Sequence, residues 1–237
     1  MIVDLQTAGG YMKTVERIVA IMRNLYESVS FIIPNFAFSA GTVLALSGDE
    51  IYMDYYSVLG PIDPQYLGQD GSAQSGYGVL AKFHELCEKI NSADDPTECR
   101  AEMSYLIKNF DPGQLFQFEQ AVKHGKTLIT EWLPKYKFKD WKKSKTLNKE
   151  ITEDDKKNRA GEIADILGDA SKWHSHGRGI SMKTLSGSDL RLKVEDFGQN
   201  PKLNPLICNY YQLAIDYFGK LGHKSYIHSQ LSIKRIL

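Results

Sequence analysis

The sequence predicts an α/β fold, and three observations carry that expectation. Short apolar runs at residues 2–5, 31–33 and 51–53 read as buried strands. Helical stretches lie between them, one amphipathic and one built of small residues. Glycines and other small residues mark the junctions where strand passes into helix. Strand, helix, strand, helix, strand in that order implies crossover connections within one sheet.

The elements follow in order. Residues 2–5 form the first strand, and Gln6-Thr7-Ala8-Gly9-Gly10 forms a turn. Over residues 11–26, Val15, Ile18, Val19, Met22 and Leu25 share a helix face, while most charged residues fall away from it. The second strand ends at Pro34-Asn35, which stops an extended segment rather than continuing a helix. A small-residue helix at 39–47 is closed by Gly48, and 51–53 is the third strand. Leu59-Gly60-Pro61-Ile62-Asp63-Pro64-Gln65 is a stiff turn, followed by a Gly/Ser loop at 69–78. Helices are expected at 79–90 and 113–133. Thr152 with Asp155 is the capping signal for a helix ending near Gly168. Trp173-His174-Ser175-His176-Gly177-Arg178-Gly179 reads as a turn. Leu190, Leu192 and Val194 alternate with charged residues as in a strand with one wet face. Residues 203–218 form a last amphipathic helix.

Composition bounds the function. The chain has 237 residues, with 29 Lys+Arg balancing 29 Asp+Glu. That balance argues against a polyanion-binding protein and against an acidic disordered chain. Seven lysines interleaved with Tyr136, Phe138 and Trp141 at 135–149 read as a linker whose aromatics pack on the domain; no nucleic-acid partner is expected. Cys87, Cys99 and Cys208 form no CxxC pair, which fits reduced thiols and a cytoplasmic location. Residues 28–48 carry no charge and are long enough to cross a bilayer, but Pro34 and Asn35 divide them, so no membrane segment is expected. No P-loop, dinucleotide glycine pattern or HExxH is present, and His174 and His176 have no third ligand at metal spacing. No metal and no cofactor are expected.

The chemistry-bearing pattern is a pair of strand-to-helix turns, Thr7-Ala8-Gly9-Gly10 and Phe38-Ser39-Ala40-Gly41-Thr42. Free backbone N–H groups at such turns suit a developing oxyanion, and a serine there is exposed as a nucleophile. A plain capping serine is the bland alternative for Ser39. The residues from Pro34 to Thr42, Asp49-Glu50-Ile51 and Gly60-Pro61-Ile62-Asp63-Pro64-Gln65 resemble the serine dehydrogenase proteinase family, which is grouped with signal peptide peptidase A and the Clp protease proteolytic subunit. Asp4-Leu5-Gln6-Thr7-Ala8-Gly9-Gly10 resembles that family's Asp-Leu-His-Thr-Pro-Gly-Gly segment, departing from it at Gln6 and Ala8. The likeness covers residues 2–65.

The resemblance implies a Clp/crotonase-like α/β fold of strand-helix crossover units, and hydrolysis of peptide bonds through a Ser39 acyl-enzyme. The N–H groups of Gly10 and Ala40 would form the oxyanion hole. The general base stays open. Clp-type enzymes place a histidine where this chain has Ile62-Asp63, and signal peptide peptidase A-like enzymes use a buried lysine. Lys82 and Asp63 lead the candidates, with Lys89, His84 and His124 behind. Arg178 is expected to pair with a carboxylate in its turn. A catalytically silent scaffold on the same fold and a crotonase-type acyl-CoA enzyme are the competing readings.

The expected organisation is a peptidase-like core at 1–133, a Lys/aromatic linker at 134–150 and an appended, mainly helical α+β region at 151–237. A peptide or protein substrate and a homo-oligomer follow from the resemblance. A complete Clp-type domain has a further strand-helix pair before the glycine turn, so the core is expected to be cut short and to leave an open sheet edge at residues 2–5.

Overall fold

The computed structural model describes residues 1–67, 73–143 and 149–235. The N-terminal part alternates strand and helix: β1 (Ile2–Asp4), α1 (Met12–Leu25), β2 (Ser30–Ile32), β3 (Phe36–Ala37), α2 (Ala40–Leu46), β4 (Glu50–Met53) and β5 (Val58–Leu59). A hairpin of β6 (Gln65–Leu67) and β7 (Ala73–Ser75) leads into α3 (Gly76–Asn91), α4 (Arg100–Asn109) and α5 (Pro112–Lys135). Then come α6 (Glu153–Gly168), α7 (Ala170–Trp173), β8 (Ile180–Ser181), α8 (Met182–Ser186) and β9 (Glu195–Asp196). The last elements are α9 (Leu203–Lys220) and a hairpin of β10 (Tyr226–His228) and β11 (Ile233–Arg235).

Two sheets organise the molecule. The first has the order β1-β2-β4-β9 and is parallel throughout, with Val3 opposite Phe31, Phe31 opposite Ile51 and Tyr52 opposite Glu195. The second has the order β3-β5-β8. There Ala37 pairs with Leu59 in parallel, and Leu59 pairs with Ile180 in antiparallel. Thr7 joins this sheet through a parallel bridge to Ala37. The α/β fold class of the sequence is therefore present, with its crossover helices. Among the described residues β1 is an edge strand of the first sheet, and Ile2 is exposed.

The core follows from the strand pattern. Phe31, Ile33, Ile51 and Met53 are fully buried and share one apolar cluster with Val15, Val19 and Met22 of α1. Every residue of α2 is buried. A helix enclosed on all sides cannot carry charge, which explains its composition of Ala, Gly, Thr, Val and Leu. Gly41 is needed there because a Cβ at that position would lie 2.3 Å from Thr7 Cγ2.

Three local expectations meet a different outcome. The alternation at 190–194 buries Leu190 and Leu192 but builds no ladder, because Arg191 takes a φ of 41° and breaks the extended backbone; the strand is only Glu195–Asp196. Between the helices expected at 79–90 and 113–133, a helical turn and α4 form where the apolar pattern had marked nothing. The Gly/Ser loop lies partly outside the described residues, but Ser75 already caps α3 by accepting from the Gly78 N–H.

The region after residue 150 is not set apart from the core. Ala160, Ile163, Ala164 and Leu167 of α6 share one apolar cluster with Leu128, Ile129 and Leu133 of α5. β8 and β9 each extend a sheet begun by the N-terminal part. The 135–149 stretch is bound in too, as far as it is described. Tyr136 and Phe138 pack on the core, and the Arg23 guanidinium stacks 3.6 Å from the Tyr136 ring centroid. α6 begins with the expected capping box between Thr152 and Asp155.

Candidate active site

Ser39 ends the β3 segment and precedes α2. Its backbone has φ 54° and ψ −121°, a region that a side chain with a Cβ enters only under strain. Such strain costs roughly 1–3 kcal/mol and persists only where the surroundings impose it. The surroundings here are specific. The Thr7 N–H donates to Phe36 O, and the Phe38 N–H donates to Thr7 O, so the glycine turn and the serine turn are stitched together. The Thr42 hydroxyl lies 2.8 Å from Ala37 O and 2.9 Å from Gly60 O, and it accepts the Gly60 N–H. That buried hydroxyl ties β3, α2 and β5 together beneath Ser39.

Gly9 has a φ of 113°, and a Cβ on it would stand 2.8 Å from Ser39 Cβ and 3.4 Å from Ser39 Oγ. Only glycine allows this backbone conformation and this approach. The Ser39 hydroxyl makes no hydrogen bond among the described residues, so it does not act as a capping side chain. Among the described residues the N–H groups of Gly10 and Ala40 also take no partner. The two stitched turns thus carry an unused hydroxyl and two unused backbone donors.

The Leu59-to-Gln65 turn delivers Asp63 to a buried position, with 2% of the residue exposed. One carboxylate oxygen accepts from Ser75 Oγ at 2.8 Å and from Gln65 Nε2 at 2.9 Å. The other lies 2.7 Å from His176 Nδ1. Burial pushes the Asp63 carboxyl up, but the hydrogen bonds from His176, Ser75 and Gln65, with the charge of His176, outweigh it and hold the group below the usual carboxylate range. The His176 side chain keeps 22% of its surface exposed, and its Nε2 has no partner among the described residues.

The turn that carries His176 is built residue by residue. Trp173 is buried and donates its indole N–H to Ile166 O at 2.7 Å. His174 takes a left-handed conformation with φ 61° and reverses the chain. Gly179 lies against Val58, whose Cγ1 would be 2.9 Å from an added Cβ. Ile180 is then buried opposite Leu59. Asp63 is four residues beyond Leu59 and His176 is four before Ile180, so both lie beyond the same end of this strand pair. Ser39 is two residues beyond Ala37, which pairs in parallel with Leu59. Ser39, Asp63 and His176 therefore leave the second sheet at the same end.

The other candidate bases lie elsewhere. Lys82 is 54% exposed and pairs with Glu85 one helical turn away, without the burial on which a lysine base depends. Lys89 pairs with Glu102 on the surface, and His124 faces Glu16. His84 stacks edge-on against Phe83. Arg178 is exposed and has no carboxylate partner among the described residues; His176 takes that role instead. Sequence reasoning weighed His176 only as a metal ligand and did not bring it to Asp63. The available signal was that two stiff, glycine-bearing turns, at 59–65 and 173–180, each lacked a partner. Among the described residues no group of three His, Cys, Asp or Glu side chains is placed to hold a metal, and no helix is long and apolar enough to cross a membrane.

Residues 1–100 match the family of ClpP-like SDH-type serine proteinases. An uncharacterized protein of Methanocaldococcus jannaschii is 34% identical over 87 residues, which cover 37% of this chain and 28% of that protein. A second uncharacterized protein of the same organism is 40% identical over 65 residues, covering 27% of this chain and 22% of its own. The chain thus aligns with less than a third of the length of either relative. No solved structure matches the chain.

Proposed function

Starting from residues 1–100 as a ClpP-like SDH-type serine proteinase segment, we propose that the protein hydrolyses peptide bonds through an acyl-enzyme on Ser39, with His176 as general base and Asp63 as its orienting carboxylate. The observation that carries this reading is the 2.7 Å Asp63–His176 contact at the sheet end where Ser39 sits in its strained turn.

The chemistry follows from the atoms. A proton on His176 Nδ1 donated to Asp63 leaves the Nε2 lone pair free to accept the Ser39 hydroxyl proton as Oγ attacks the carbonyl carbon. The carbonyl oxygen takes the negative charge, and the Gly10 and Ala40 N–H groups receive it. α2 has only seven residues, so these individual N–H groups, rather than a long helix dipole, supply the stabilisation. The imidazolium formed on His176 is held by the Asp63 carboxylate and returns its proton to the departing amine. Water then cleaves the ester by the same route. Asp63 is saturated by three partners and buried, which suits an orienting carboxylate and not a free base. In this assignment the nucleophile and oxyanion donors come from residues 1–133 and the base from residues 151–237.

A fluorophosphonate probe tests the assignment. Wild type should label at Ser39, and Ser39→Ala should not. His176→Gln should slow labelling by about 10²–10⁴-fold, the usual worth of a general base. Lys82→Met should label at the wild-type rate. Undiminished labelling of His176→Gln together with loss in Lys82→Met would overturn the role given to His176. Equal labelling of Ser39→Ala would overturn the nucleophile and favour a silent scaffold.

A further inference from the structure

α9 carries two apolar stripes side by side. Ile207, Ala214 and Phe218 point inward and are buried, and Tyr211 on the same side donates its hydroxyl to Gln6 Oε1 at 2.6 Å. One position earlier on the helix runs a second stripe: Leu203, Leu206, Tyr210, Leu213 and Tyr217. Their spacing is three, four, three, four. They are 37%, 67%, 40%, 69% and 53% exposed. Four turns of alternating three-four spacing make the seam by which one helix packs along another, and a contiguous exposed stripe of this kind is uncommon on a surface that stays in water. Tyr210 is already held in place, its hydroxyl 2.7 Å from His228 Nδ1.

We propose that this stripe is the seam of a homodimer, in which α9 packs antiparallel against α9 of a second copy about a two-fold axis near residue 208. The charges beside the stripe choose the direction. Lys202 flanks it at one end and has no carboxylate partner among the described residues, and Asp216 flanks it at the other end, where 54% of its side chain is exposed even with Lys220 attached. An antiparallel pairing sets Lys202 of each copy beside Asp216 of the other. It also matches leucine with leucine, Leu203 of one copy facing Leu213 of the other, and Leu206 facing Tyr210. A parallel pairing brings the two Lys202 ends together and the two Asp216 ends together. The same patch serves both copies, as a closed two-fold contact requires. The proposal does not depend on the chemistry at Ser39.

Sedimentation of the whole chain tests it, read alongside far-UV circular dichroism. The wild type should be dimeric. Leu206→Lys with Leu213→Lys should raise the dissociation constant by at least about tenfold and leave the helical signal unchanged, because both side chains point to solvent. Cysteine cross-linking in a Cys208→Ser background reads the direction. A mixture of Leu206→Cys chains and Tyr210→Cys chains should form a disulfide between copies, whereas Leu206→Cys alone should not. A monomeric wild type would overturn the proposal. So would a dimer indifferent to the two lysines, or efficient self-cross-linking of Leu206→Cys.

Discussion

Two ionisable residues are held by their surroundings in opposite ways. Asp63 is buried yet ionised, because three hydrogen bonds and the His176 charge more than repay its desolvation. Its folded pKa lies below the unfolded value of about 3.9. It therefore stabilises the fold above that value, and the contribution is lost as pH falls through the folded pKa. Asp63→Asn should lower stability by roughly 1–3 kcal/mol at neutral pH and should lose less stability than wild type below about pH 4. Urea unfolding midpoints across that range check both statements. Lys137 shows the reverse. Burial, with the Lys193 charge beside it, pushes its ammonium down from 10.5 to about 8. Between those values the unfolded chain binds more protons, so stability rises with pH through that window. Lys137→Met should flatten the rise and stabilise the protein at neutral pH by about 1–3 kcal/mol. No pattern in the lysine-rich stretch singled out Lys137, since desolvation depends on what packs over a side chain.

At the scale of elements, the site rests on close backbone contacts. The glycine turn and the serine turn exchange two backbone hydrogen bonds, and Gly41 presses against Thr7. Gly41→Ala should cost about 1–3 kcal/mol through overpacking. Adding Thr7→Ser, which removes the clashing methyl, should recover much of that loss in thermal unfolding. Gly41→Ala alone leaving the melting temperature unchanged would contradict the close approach. The strands and crossover helices of the N-terminal part were legible because a buried strand and an amphipathic helix must show their burial in residue type. The alternation at 190–194 was legible as burial but not as a strand. Leu190 and Leu192 face the core as the pattern requires, yet Arg191 at positive φ prevents a ladder.

Over the whole molecule, α5 and α6 share one apolar cluster, and the C-terminal half adds one strand to each of the two sheets. A chain ending at residue 150 would expose Leu128, Ile129 and Leu133. Such a fragment should lack a cooperative thermal transition, whereas the full chain should unfold in one step. A fragment melting as sharply as the intact protein would show that residues 1–150 form an independent unit. The sequence alone determined the α/β class, the two small-residue turns and the nucleophile candidate. Those features are local: apolar period, glycine placement and a serine at a strand end are written in consecutive residues. Only the tertiary structure joined His176 to Asp63, 113 positions apart. That meeting depends on β8 pairing antiparallel to β5 with Ile180 opposite Leu59, and no short turn joins these two strands to fix their partnership and register in consecutive residues.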